Sequence, residues 1–160
     1  MRPALLAAGI IAGWTLAASA QDASPVAPQP WTISCVAAQG ASAFTCRMQQ
    51  VLRTRNGGQR ILSVGVERVD GGNPQLILAL PHGVDLTKGV DVSVDGGQAR
   101  TVPIATADAA GSYARSEVDG NLLASLREGR QLNVAFASAA GQRIETQVSL
   151  KGFRAAYAKL

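Results

Sequence analysis

The stretch Leu76–Gly97, LILALPHGVDLTKGVDVSVDGG, constrains the fold of this chain more than any other. Its apolar run Leu76–Leu80 stops at Pro81, a residue with no N–H to give to a strand ladder. After a short polar loop, Val90–Val94 alternates strictly between apolar and polar residues. A repeat of two is the period of a strand with one dry and one wet face. Asp95-Gly96-Gly97 then supplies a tight turn. A strand over Gln75–Leu80, central or buried on both faces, is therefore expected. A half-buried strand over Val90–Val94 follows it, with Val90, Val92 and Val94 inward.

The same logic runs through the chain. Trp31–Ala37 is expected as a strand with Trp31, Ile33 and Cys35 on its core face. Phe44–Leu52 is a second, with Phe44, Cys46 and Met48 inward and a bulge or strand end at Gln50. Asn56-Gly57-Gly58 predicts a hairpin turn into a third strand, Ile61–Val69, with Leu62, Val64 and Val66 on one face. Asp70–Pro74 is another turn. Ala99–Ile104 is expected as one strand, Ala105–Gly111 as a loop and Gly111–Glu117 as a short strand. Asp119–Glu128 reads as a helix capped by Asp119, lined by Leu122, Leu123 and Leu126, and stopped by Gly129. Leu132–Ala137 and Ile144–Leu150 form a hairpin about Gly141. Phe153, Ala156, Tyr157 and Leu160 stand at helical spacing, predicting a short helix near residues 153–160. Many short strands separated by turns predict an all-β protein, a β-sandwich, with a barrel as the alternative.

Residues 1–20 carry Arg2, the uncharged apolar core Ala4–Leu16 and the small-x-small sequence Ala18-Ser19-Ala20. This predicts a signal peptide cleaved between Ala20 and Gln21. Residues 21–30, QDASPVAPQP, read as a proline-rich linker, and residues 31–160 as the folded domain. The apolar core is shorter than the ~20 residues a bilayer needs, and no later stretch is long enough to span one. A periplasmic, outer-membrane-associated or secreted protein is expected. In an oxidising compartment Cys35 and Cys46 are expected to form a disulfide. They are not spaced as CxxC, and the chain has one histidine, so no metal or redox pair is expected. The formal charge of +4 becomes +3 without Arg2, too mild to imply nucleic acid. The aromatic residues are not interleaved with basic ones.

No GxSxG, P-loop, HExxH or CxxC motif occurs, and no inward-facing carboxylate pair is visible for acid–base work. No enzyme and no cofactor is expected; a small hydrolase using His82, the lone histidine, is the least favoured reading. Asp91-x-Ser93-x-Asp95-Gly96 begins like a calcium loop, but its twelfth position is Val102 rather than a glutamate. Arg47, Arg53, Arg55, Arg60 and Arg68 cluster within 22 residues in which Glu67 is the sole acid. They form the candidate interaction surface, for an envelope protein or an anionic envelope polymer. The competing reading is a charged edge that resists aggregation.

The chain resembles the invasion-associated locus B family of bacterial exported proteins. The resemblance rests on the signal peptide, Trp31-x-x-x-Cys35, Cys46, Leu80-Pro81-x-Gly83-Val84 and Gly89-Val90. It extends through Val94-Asp95-Gly96-Gly97 and Leu126-x-x-Gly129 to Ser149-Leu150-x-Gly152-Phe153-x-x-Ala156. It implies an immunoglobulin-like β-sandwich and a non-enzymatic role at the cell envelope, with a secreted factor acting on host cells as the alternative. Family members often carry a second cysteine pair where this chain has Ala107 and Ser112, which implies a looser Ala105–Tyr113 loop here.

Overall fold

The computed structural model describes residues 30–37, 44–55, 58–69 and 72–160. The predicted signal peptide, its cleavage site at Ala20 and Gln21, and the linker up to residue 29 lie outside the described residues. So do residues 38–43, 56–57 and 70–71 and the Phe44 and Val69 side chains.

Among the described residues, ten strands and two short helices follow one another: β1 (Thr32–Ala37), β2 (Phe44–Arg53), β3 (Arg60–Val69), β4 (Gln75–Leu80), β5 (Val90–Val94), β6 (Arg100–Val102), β7 (Ile104–Asp108), β8 (Gly111–Glu117), α1 (Gly120–Glu128), β9 (Gln131–Ala137), β10 (Arg143–Ser149) and α2 (Phe153–Tyr157). They build two antiparallel sheets. One has six strands in the order β1-β2-β3-β4-β8-β7, the other four in the order β10-β9-β5-β6. Leu76–Gly97 is the segment that carries the chain from the middle of the first sheet into the second.

The core lies between the sheets. Met48, Leu62, Val64, Val66, Leu76, Leu78 and Leu80 meet Val90, Val92, Leu132, Val134, Phe136 and Val148 across it, all buried. Each such side chain is worth roughly 1.5–3 kcal/mol on removal from water. The alternation predicted for β3 and β5 therefore holds, and β4 is central as expected. Asp95 takes a left-handed backbone, φ 49°, ahead of Gly96 at φ 74°. Its carboxylate accepts from the Arg130 and Gln131 N–H groups at 2.9–3.2 Å, tying this turn to the start of β9. Asp119 caps α1 by accepting from Leu122 N at 2.8 Å, and Gly129 ends that helix.

Four expectations need correction. Every residue of β1 is exposed, so Ile33 and Cys35 do not sit on a core face. A four-stranded sheet cannot cover a six-stranded one, and the outermost strands β1 and β7 pay for the mismatch in exposure. Gln50 does not end β2: it is buried on the Met48 face, its amide donating to the Ser149 carbonyl at 3.4 Å, and the register slips at Leu52/Arg53 instead. Ala99–Ile104 is not one strand. Pro103 lacks an N–H and divides it into β6, in the smaller sheet, and β7, in the larger. Residues 105–111 are consequently not a loop but most of a β7–β8 hairpin, in which Ala107 and Ser112 are direct partners.

Candidate functional site

Side chains on the outer face of the six-stranded sheet stand in rows fixed by strand register. Gln49, Gly65, Ile77 and Arg115 form one row across β2, β3, β4 and β8; Ser63, Ala79 and Tyr113 form the next. The middle positions are small, and Gly65 has no side chain. The flanking positions are long. The result is a trough of about 380 Å³ with Ser63, Gly65, Ile77 and Ala79 as floor and Arg47, Arg60, Tyr113 and Arg115 among its walls.

Its electrostatics centre on Glu67. That carboxylate accepts from Arg47 Nε at 2.9 Å and from Arg47 Nη2, and lies 3.7 Å from Arg115 Nη1. Glu67 is only 15% exposed, whereas the Arg47 and Arg115 side chains remain 40% and 45% exposed. At the other end, Arg60 Nη2 donates to the carbonyls of Leu80 and Ala110. Asp108 accepts from the Ala110 N–H at 2.7 Å and the Tyr113 hydroxyl at 3.1 Å. The Ala110 N–H is the main reason that its carboxyl sits below the usual carboxylate range. Three guanidinium groups against two carboxylates leave one net positive charge on a polar concave surface. Such a surface suits recognition through bidentate hydrogen bonds.

The predicted arginine cluster is thus divided. Arg47 and Arg60 enter the trough. Arg53 stays at the β2–β3 turn, donating to the Gly58 carbonyl at 2.7 Å, and Arg55 is in the same turn. Arg68 lies on the opposite face, 6.0 Å from the Tyr157 ring. Arg115 and Tyr113 complete the trough and were missed from sequence. Tyr113, Arg115 and Glu117 do alternate along GSYARSE, but only the β2-β3-β4-β8 order puts them on the same sheet face as Arg47.

Cys35 and Cys46 are bonded, as expected, across directly opposed positions of β1 and β2 with Cα atoms 4.0 Å apart. His82 Nε2 lies 3.1 Å from the Ala109 carbonyl, joining the β4–β5 loop to the β7–β8 turn. Asp91 accepts from the Thr101 hydroxyl at 2.7 Å and from Arg143 at 3.2 Å, which accounts for the wet side of β5 without a cation. Among the described residues no group of three or more His, Cys, Asp or Glu side chains is placed to hold a metal. No helix among them is long and apolar enough to cross a membrane.

Comparison with known proteins agrees with this architecture. Residues 31–160 match the Invasion associated locus B (IalB) protein family. Two Brucella abortus proteins, each called an Invasion protein B homolog, from strain 2308 and from biovar 1 strain 9-941, are 33% identical to this chain over 129 residues, covering 80% of it and 73% of each relative. The crystal structure of invasion associated protein B from Bartonella henselae superposes with a TM-score of 0.72 at 24% identity, over 85% of this chain and 93% of that one. At that identity the superposition speaks for the fold. With the family match spanning the whole described sandwich, the chain belongs to the invasion-associated locus B family.

Proposed function

We propose that the protein is exported to the periplasm and acts there by binding an anionic envelope polymer in the trough of the six-stranded sheet. The observation that carries this reading is the placement of Arg47, Arg60 and Arg115, from three different strands, around one concave floor beside Tyr113. A sugar polymer bearing carboxylates or phosphates fits it: guanidinium groups pair with the anions, and an aromatic ring offers a flat apolar wall. Export is supported by the sequence pattern of residues 1–20 and by a family match that starts at residue 31. We read residues 1–20 as a signal peptide, 21–30 as a linker and 31–160 as one domain. We read the sandwich as immunoglobulin-like; its two antiparallel sheets, of six and four strands, with connections that cross between them support that reading.

The test is binding of purified peptidoglycan and lipopolysaccharide to the protein and to Arg47→Gln/Arg115→Gln. That variant removes two of the three guanidinium groups of the walls and leaves the Glu67 carboxylate without either of them. Expected is a loss of at least about tenfold in affinity, weakening further with salt, while Arg53→Gln/Arg55→Gln stays near wild type. Equal binding by the trough variant would refute the reading. A second reading, a secreted factor acting on host cells, draws on the names of the Brucella and Bartonella relatives. Fractionation of the producing cells separates the two.

A further inference from the structure

The two sheets end on four outer strands, and three of them are blunted. β6 has three residues and runs into Pro103. β7 carries a register irregularity between Ile104 and Thr106 and ends on Asp108. β10 displays Arg143 and Glu145. Short length, proline, irregularity and charge are the devices that stop a sheet edge from pairing with another chain. β1, TISCVA, has none of them. It carries no charge and no proline, keeps unbroken register with β2, and exposes all six residues, with Val36 at 64%.

This edge is also held in place at both ends. Before it, Trp31 Nε1 donates to the Ser149 carbonyl at 3.2 Å and the indole packs edge-on against Phe153 at 5.2 Å. Near its far end Cys35 is bonded to Cys46. A fixed, uncharged, open strand is the receptor half of strand addition. Main-chain hydrogen bonds then supply the affinity, and alternate side chains supply the selectivity.

Charge points to the occupant. Ser34 stands opposite Arg47 on the outer face, and Cys35 opposite Cys46, which faces Arg68, on the inner one. Residues 151–160, beginning where Phe153 meets Trp31, hold Lys151, Arg154 and Lys159 and no acid. Glu67, the acid in this register, is held by Arg47 and Arg115, so the cations that remain beside this edge are Arg68 and those of residues 151–160. A second copy would bring the same cations back against themselves. We propose that the outer edge of β1 receives an extended acidic segment of a partner protein, with apolar residues at alternate positions to cover Val36 or Ile33. Arg47 also walls the trough, but strand addition runs along the main chain of residues 32–37, so the position of the shift changes tells failure of one reading from failure of the other.

The probe is a capped six-residue peptide alternating valine and glutamate, titrated into the disulfide-bonded protein by NMR. A valine–lysine counterpart and a version with a central proline serve as controls. Expected are shift changes concentrated in residues 32–37, affinity at least about tenfold lower for the lysine peptide, and no binding of the proline peptide. Ser34→Glu/Val36→Glu, both at exposed positions, should lower affinity at least about tenfold, while Gln147→Glu on β10 leaves it unchanged. Equal binding of the lysine peptide, no binding at millimolar concentration, or shift changes on another edge would overturn the proposal. So would a β1-mediated dimer that the peptide does not dissociate, or binding that appears only after residues 21–30 are deleted.

Discussion

Replacing Cys35 and Cys46 by alanine should loosen β1 far more than it loosens the core. The two residues are 11 positions apart. In the chain-entropy picture, closing a loop of about twelve residues restricts the unfolded chain by about 3 kcal/mol. That figure is a ceiling on the loss of global stability, reached only if β1 stays docked without the bond. The side chains of β1 bury little, since the whole strand is exposed. Apart from its ladder to β2 and the Thr32 hydroxyl donating to the Gln49 carbonyl at 3.2 Å, β1 relies on Trp31 at one end and the disulfide near the other. The substituted protein is therefore expected to release β1 before it unfolds, so the global cost falls to between about 1 and 3 kcal/mol. Native-state hydrogen exchange reads both quantities. Amides of 32–37 should lose protection at least about tenfold relative to those of β3, while urea unfolding of the core shifts its midpoint by no more than about 1.5 M for an m-value near 2 kcal/mol/M. Amides of β1 as well protected as those of β3 after the substitution would show that the strand is held by contacts other than those named, and the reasoning would fail.

Three further outcomes are expected. Gly129→Ala would place a Cβ 2.3 Å from Val94 Cγ1 and 2.8 Å from the Ser125 carbonyl, so thermal melts should show a loss of about 1–3 kcal/mol from overpacking. The Asp95 carboxyl is held below its ordinary range first by the Arg130 N–H and then by the Gln131 N–H. A carboxyl whose pKa is depressed on folding adds stability that is present above its unfolded pKa and lost as pH falls. Acid titration should thus destabilise the wild type below about pH 4, and Asp95→Asn, which keeps one carbonyl acceptor, should flatten that dependence; identical acid profiles would exclude the role. Because Ala107 and Ser112 are direct cross-strand partners, Ala107→Cys/Ser112→Cys should form a second disulfide on oxidation, and free thiols persisting in a thiol titration would contradict the register.

Elements whose burial follows from their own pattern were legible in sequence. The valines of β5, the apolar run of β4, the Asp119 cap with its leucine stripe, and the β9–β10 hairpin all needed only a repeat of two or of 3.6 and a turn residue. The Asp95-Gly96-Gly97 turn was readable for the same reason, since few residues besides glycine and aspartate take its backbone. Even the family resemblance lived in such local pieces, ordered along the chain.

What only the tertiary structure decided was which strand is covered by what. A six-stranded sheet opposite a four-stranded one leaves β1 bare although its sequence alternates like a buried strand. Gln50 is buried because the Ser149 carbonyl lies within reach of its amide. Arg47 and Arg115 share one carboxylate because β2, β3, β4 and β8 lie side by side, while Arg68, close to Arg47 in sequence, points to the other face. Pattern along one strand reports its own two faces; what lies against each face, and which distant charges meet there, is set by pairing between strands that the chain's order does not reveal.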